Sequence, residues 1–302
     1  MLNLMKTLTA TCGISGREKA ISDKLLTIVA PLADKCYNDA MGNLIAVKYG
    51  TAPEASRKKV MLCAHMDEIG FLVTYIEDSG FIRVQPIGGI NWVAAAFTEV
   101  TFAGGLKGIL VPEAGTAPAD LSADKCYIDI GAKDKKEAER KVQIGDYCAL
   151  SGGITRLLGR RIAGRPLDDR IGCAVLVKIA EKLSETPVAD DVYLVFSVQE
   201  EVGLRGAQTA AFAAEPDMGI ALDVTGVGDI PGHENHVPMA LGKGAAVKIM
   251  DRSLICTPAV VNLMLDTAKE NGIMVQREVL PYGGTDAGAI QKTRGGVLSG
   301  VL

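Results

Sequence analysis

The sequence predicts an α/β sheet domain interrupted by a smaller β-rich insert, and two observations carry that expectation. Short, nearly continuous apolar runs at residues 59–65, 191–198 and 218–222 alternate with segments of helical periodicity. That is the pattern of strands buried on both faces beneath covering helices. Between about residues 71 and 159 the texture changes to short alternating runs separated by glycines, which reads as an antiparallel β module. The expected division is therefore 1–70 with 160–302 as one discontinuous α/β domain, and 71–159 as the insert.

Taken in order, Ser15-Gly-Arg-Glu18 resembles a capping box. Ala20, Ile21, Leu25, Ile28 and Val29 follow at helical spacing, so a helix is expected over residues 17–30. Residues 43–49 and 59–65 read as strands. Segments 71–76 and 81–87 flank Glu-Asp-Ser-Gly, a hairpin signal, and residues 133–141 as an exposed charged helix. Beyond Asp168, Ile171, Val175, Ile179 and Leu183 mark a helix. Then come a strand at 191–198, a helix at 204–214, a strand at 218–222, a helix at 260–269 and a strand at 273–280.

Composition narrows the function classes. With 48% hydrophobic and 23% charged residues the chain is globular rather than disordered. A net charge of −4 without a basic stripe argues against nucleic acid as a partner. The longest charge-free stretch, 84–98, is broken by Pro86, Gly88 and Gly89 and falls short of the roughly 20 apolar residues of a membrane span. Asn3, Lys6 and Thr7 break up the N-terminal apolar run, which is too short for a signal-peptide core. The seven cysteines are odd in number and contain no C-x-x-C, so free thiols in a reducing cytoplasm are expected. No G-x-S-x-G elbow and no P-loop are present, and Gly226-Val-Gly228 lacks the spacing of a dinucleotide loop. No organic cofactor is therefore expected.

The residues that suit chemistry cluster at the ends of expected strands or at a helix start, where an open α/β sheet forms its ligand crevice. His65 and Asp67 follow the 59–65 strand. Alternation points them the same way, so Asp67 can orient His65 as a metal ligand, the bland alternative being a surface histidine beside a solvated acidic pair. Asp168 and Asp169 precede a helix, where they suit either capping or the bridging of two cations. Adjacent Glu200 and Glu201 follow a buried strand; one can bind a cation while the other serves as general base. Asp223 ends a further strand. His233 and His236 sit in a Pro/Gly-bounded loop and suit exposed loop positions better than a metal pair. One imidazole and several carboxylates on one sheet edge suit a two-metal hydrolytic site for zinc, cobalt or manganese.

The motifs containing His65, Asp168, Glu200, Asp223 and Tyr282-Gly-Gly-Thr285-Asp286, with the Gly13-Ile-Ser-Gly16 turn before them, resemble the dinuclear metallo-aminopeptidases that form tetrahedral dodecamers. These are the glutamyl and deblocking aminopeptidases, some of whose relatives carry an endoglucanase label. The resemblance implies a zinc-peptidase-like three-layer α/β/α catalytic domain with an inserted small β-barrel dimerisation domain. It implies that His65 and Asp223 bind one metal, that Asp168 bridges both, and that Glu201 binds the second. Asp67 would orient His65, Glu200 would be the general base, Thr285 and Asp286 would lie near the site, and Asp168–Asp169 would be a strained cis link. The implied reaction removes N-terminal residues from peptides, with self-association through the insert from dimer to dodecamer.

The family pattern continues beyond Leu302 through a strand that ends in a histidine ligand of the second metal, then a final helix. This sequence stops before both. The expectation is a weakened second site, since zinc takes about four ligands, together with reduced activity and uncovered apolar sheet surface. The alternatives are a catalytically silent assembly subunit of the same fold and a related amide hydrolase acting on acylated amino acids.

Overall fold

The computed structural model describes residues 1–232 and 238–302. His233 and His236, weighed above as a metal pair, lie outside the described residues. In chain order the elements begin with α1 (Leu2–Thr9), α2 (Lys19–Val29), β1 (Lys35–Asn38), β2 (Leu44–Lys48) and β3 (Lys59–His65). The next group is β4 (Gly70–Ile76), β5 (Ile82–Ile87), α3 (Trp92–Ala95), β6 (Glu99–Phe102), β7 (Lys107–Pro112), β8 (Cys126–Asp129), α4 (Lys135–Ala138) and β9 (Tyr147–Leu150). A short pair, β10 (Ile154–Arg156) and β11 (Ile162–Gly164), precedes α5 (Arg170–Glu185), β12 (Asp191–Ser197), α6 (Arg205–Ala214) and β13 (Met218–Ala221). The last are β14 (Ala245–Met250), α7 (Pro258–Glu270), β15 (Val275–Val279), α8 (Ala287–Gln291) and β16 (Leu298–Val301).

The chain divides into two compact units, one of Met1, Ser22–Met66 and Asp168–Leu302, the other of Leu2–Ile21 and Asp67–Leu167. Residues 2–21 thus group with the insert, whereas the sequence reading places 1–70 in the α/β domain, and the second junction falls at 167/168 rather than near 160. The reason is a set of long-range pairings. Gly13 N–H donates to Glu68 Oε1 at 3.0 Å, Ser15 N–H to the Glu68 carbonyl at 3.3 Å, and Ser15 Oγ to Asp67 Oδ2 at 2.6 Å. These bonds also replace the expected capping box: Glu18 accepts from Gly16 N–H at 2.7 Å, and the helix starts at Lys19.

The first unit holds a six-stranded sheet in the order β1-β2-β12-β3-β13-β16. The four strands β12, β3, β13 and β16 are mutually parallel, and β1 and β2 form an antiparallel edge. On one face Ile45, Val47, Met61, Cys63 and Val195 pack against Ala207, Ala210 and Ala211 of α6 and Ile290 of α8. Small alanines let α6 approach the sheet closely. Leu44, Ala46, Ala64, Leu194 and Phe196 alternate to the opposite face and are buried. Both faces are covered, which is why these strands read as unbroken apolar runs.

In the second unit β4-β5-β8-β7-β6-β9 close into a barrel. Phe71, Val73, Ile82, Val84, Val100, Phe102, Leu110, Ile128, Cys148 and Leu150 fill it, the interior side of the alternation read from the sequence. The expected hairpin is β4–β5, turning at Gly80 with φ +90°, where a Cβ would also meet the Ala132 carbonyl oxygen at 2.7 Å. The charged helix expected at 133–141 is the single turn α4, capped by Asp134. No helix of the described residues is long and apolar enough to cross a membrane.

Candidate metal centre and cleft

Parallel pairing brings three strand ends to one edge of the sheet. β3 ends at His65, β12 runs into Glu200 and Glu201, and β13 runs into Asp223. Asp168 joins them from the turn before α5. The Asp168–Asp169 peptide is cis, as is Arg165–Pro166. The adjacent carboxylates take different settings. Asp169 is fully buried and caps α5, accepting from Gly172 N–H at 3.0 Å. Asp168 has a side chain 53% exposed and faces His65, with Oδ1 3.0 Å from Nε2.

Asn43 shapes the glutamate loop. Its side chain accepts from Val198 N–H at 3.0 Å and donates to Asp39 Oδ2 at 2.7 Å and to the Gly206 carbonyl at 3.0 Å. A Cβ at Gly206 would lie 2.3 Å from Asn43 Oδ1 and 2.4 Å from the Val198 carbonyl oxygen, so only glycine fits there. Gln199 and Leu204, on either side of the glutamates, hold left-handed backbone angles of 54° and 59°, a cost that surrounding contacts must offset. Leu204 N–H and Arg205 N–H close the loop onto Glu200 and Gln199 carbonyls at 2.9 and 3.2 Å.

One donor atom each from His65, Asp168 and Asp223 lies within 4.8 Å of the others. The same residues line a cleft of about 520 Å³ together with Glu200 and Glu201. Asp67, the sixth residue singled out, is buried and accepts from Ser15. Burial pushes the Asp223 carboxyl up to about 7, with Asp168 and Asp286 adding to the rise against the lowering by His65. Burial likewise holds Asp169 well above the carboxylate range, and its Oδ2 has no hydrogen-bond partner. Crowded carboxylates around one imidazole form an oxygen-rich, nitrogen-containing donor set, and a divalent cation fits it by supplying the positive charge the cluster lacks.

Asp286 lies beneath the strand ends, accepting hydrogen bonds from Ser197 Oγ and, at 3.2 Å, from Cys63 Sγ. Thr285 instead donates to Asp251 Oδ2 at 3.3 Å. The sequence reading missed Lys248 and gave Thr225 and Tyr282 no role of their own, and all three also line the cleft. Lys248 is 2% exposed and pairs with Asp251 and Glu278 at 3.4 and 3.7 Å. Its signal was available: a lone cation inside the apolar run Ala-Ala-Val-Lys-Ile-Met.

Known proteins resemble this chain in sequence and in structure. A lysyl aminopeptidase of Pyrococcus furiosus is 38% identical over 99% of this chain and 87% of its own length. The solved structure of an aminopeptidase from the archaeon Desulfurococcus kamchatkensis superposes with a TM-score of 0.94 at 35% identity, covering 100% of this chain and 85% of that one. A TET1 peptidase of Pyrococcus horikoshii, which can assemble into a tetrahedron or a large octahedral shell, gives a TM-score of 0.86 at 31% identity over 99% and 90% of the two chains. The family profile described as M42 glutamyl aminopeptidase matches residues 42–302. With the fold, the strand-end cluster and these likenesses in agreement, the chain belongs to the M42 glutamyl aminopeptidase family of hydrolases.

Proposed function

We propose that this chain is a metal-dependent aminopeptidase that removes N-terminal residues from peptides. The observation that carries the reading is the convergence of His65, Asp168 and Asp223 within 4.8 Å in a cleft that Glu200 and Glu201 also line. His65 and Asp223 would hold one divalent cation, Asp168 would bridge to a second, and Glu201 would hold that second ion; zinc or cobalt suits the donors, with manganese a further match. Asp67 would orient the His65 imidazole. When bound, such cations supply Lewis-acid polarisation of an amide carbonyl and an acidified water.

The chain's own groups then carry the proton. A Glu200 carboxylate oxygen takes it from the attacking water and gives it to the amine nitrogen of the departing peptide, so that acid and base are one residue. The surrounding carboxylates suit the positive α-amino group of a peptide N-terminus. Seven free cysteines, five of them buried, accord with a reducing cytoplasmic setting. Self-association through the barrel unit, from dimer to dodecamer, belongs to the same reading.

Metal analysis of purified protein, read beside hydrolysis of amino-acid anilides with and without chelator, tests the proposal. The expected result is bound divalent cation and turnover that chelator abolishes and zinc or cobalt restores. Protein that binds no cation and stays inactive after loading would overturn it and leave a silent assembly subunit. Turnover of acylated amino acids but not of anilides would reassign the substrate.

A further inference from the structure

The cleft has two unlike sides. Strand order β12-β3-β13 places Glu200 and Glu201 on one side of His65 and residues 223–226 on the other. The Thr225 hydroxyl donates to Glu278, which ties β15 and the turn at 280–284 to that second side. Glu200, as proposed above, gives its proton to the departing amine, so the departing peptide lies toward the glutamate loop. The residue being removed then lies on the other side. Its side chain faces the wall that includes Val224, Gly226, Leu280 and Tyr282.

That wall offers no partner to a charged side chain. Among the described residues lining the cleft, Lys248 is the only lysine or arginine. It is buried, and its ammonium pairs with Asp251 at 3.4 Å and Glu278 at 3.7 Å. Both carboxylates are buried as well, and neither borders the cleft. With two carboxylates already facing one ammonium, a third on an acidic leading side chain is repelled. A basic leading side chain meets the Lys248 ammonium, and no carboxylate outside the donor cluster lines this side. Either charge loses its hydration without gaining a partner. Tyr282 completes the wall. It is 52% exposed, and a Cβ on Gly226 would lie 4.0 Å from its hydroxyl. The ring therefore reaches from its own turn toward residue 226 and leaves aromatic surface for an apolar side chain to cover.

We propose that this wall receives the side chain of the residue being removed and selects an apolar, leucine-like side chain over acidic or basic ones, with Tyr282 as the specificity-determining residue. Burial of apolar surface rewards the matching substrate, and the unpaired charge excludes the others. The proposal rests on the aminopeptidase reading above and names its substrate class.

Two measurements on the full chain loaded with zinc or cobalt provide the test. One is the kinetics of leucyl, lysyl and glutamyl anilides. The other is calorimetric binding of the three amino-acid amides to Glu200→Gln protein. The leucyl anilide is expected to lead in kcat/KM by roughly ten-fold or more, and leucinamide to bind tightest. Equal or better turnover of either charged anilide overturns the subsite and leaves the aminopeptidase reading standing. If no anilide is cleaved, that reading fails and the amides decide the subsite alone. Leucinamide binding tightest then upholds it; a charged amide binding as tightly, or no binding, overturns it. Tyr282→Glu puts a carboxylate on the wall and is expected to raise the lysyl-to-leucyl ratio about ten-fold, while Tyr282→Phe keeps the wild-type order. An unchanged ratio in the glutamate variant would remove Tyr282 from the selection. Should that variant misfold, Tyr282→Ala takes its place, expected to shrink the leucyl lead through a raised KM; an unchanged lead has the same meaning.

Discussion

The barrel and the α/β unit bury different things. Among the described residues of the barrel, 70–150, no charged or polar side chain is fully buried, and the interior is Phe, Val, Ile, Leu, Ala and Cys. The α/β unit buries His65, Asp169, Arg170, Lys248, Asp251, Glu278 and Asp286, close to or beneath the carboxyl ends of its parallel strands. A buried charge is costly unless it is paired or meets a ligand, so the barrel is built for packing and the α/β unit carries its destabilising groups where chemistry needs them. Concentration of perturbed carboxylates in one cleft is a functional signature for the same reason.

The sharpest way to break that comparison is at Glu200. Glu200→Gln is expected to lower anilide turnover by roughly 10²- to 10⁴-fold while metal analysis finds cation content unchanged. An unaltered rate would remove the glutamate from the proton-transfer role. In the barrel, Phe71→Ala empties the space of a fully buried ring and is expected to cost about 3–5 kcal/mol in denaturant unfolding. The cation content of the folded variant should not change, since the substitution touches packing alone.

Gly172→Ala tests how tightly the α/β unit holds its buried carboxylate. The new Cβ would sit 2.3 Å from Asp169 Oδ2, and that side chain is short and enclosed. A loss of about 1–3 kcal/mol is expected, with a weakened cation affinity that isothermal titration would report. The corresponding change at exposed Gly104, where a Cβ meets nothing within 4 Å but φ is +90°, should cost only its backbone strain, of order 1 kcal/mol.

The smallest expected effect is a pH dependence. Asp223 sits at about 7 in the folded chain against an ordinary 3.8. Its folded value is raised, so in chelator-treated protein its contribution favours the fold below about pH 4 and fades as pH rises through 7. Asp223→Asn removes that dependence. Thermal unfolding of the metal-free pair should therefore show wild type losing several degrees relative to the variant between about pH 5 and pH 8. Parallel curves would mean that the carboxyl is charged throughout.

Much of the α/β unit was legible in the sequence because local patterns there coincide with tertiary roles. The strand at 59–65 appears as read, and α5, β12, α6, β13 and α7 fall within two residues of their expected bounds. Double-sided burial writes continuous apolar runs, and helix periodicity writes the rest. The clustering of His65, Asp168, Glu200, Glu201 and Asp223 was legible only as a shared address, the ends of strands.

What failed to show in the sequence depended on partners far along the chain. β14 was overlooked because its interior lysine breaks the apolar run, and that lysine is tolerated only because Asp251 and Glu278 lie beside it. Ser15 and Glu18 look like a local cap, yet Ser15 bonds to Asp67, which lies 52 residues away. The grouping of residues 2–21 with the barrel follows from such bonds.

By itself, then, the sequence determined most strands and helices of the α/β unit, the fold class and the residue types that could meet a cation, because periodicity and strand-end placement are local properties. Tertiary structure alone decided which carboxylate caps and which faces the cleft, and that Lys248 and Asn43 support its walls. Those outcomes turn on distances between residues remote in sequence, where hydrogen-bond reach and desolvation, not pattern, choose among equivalent side chains.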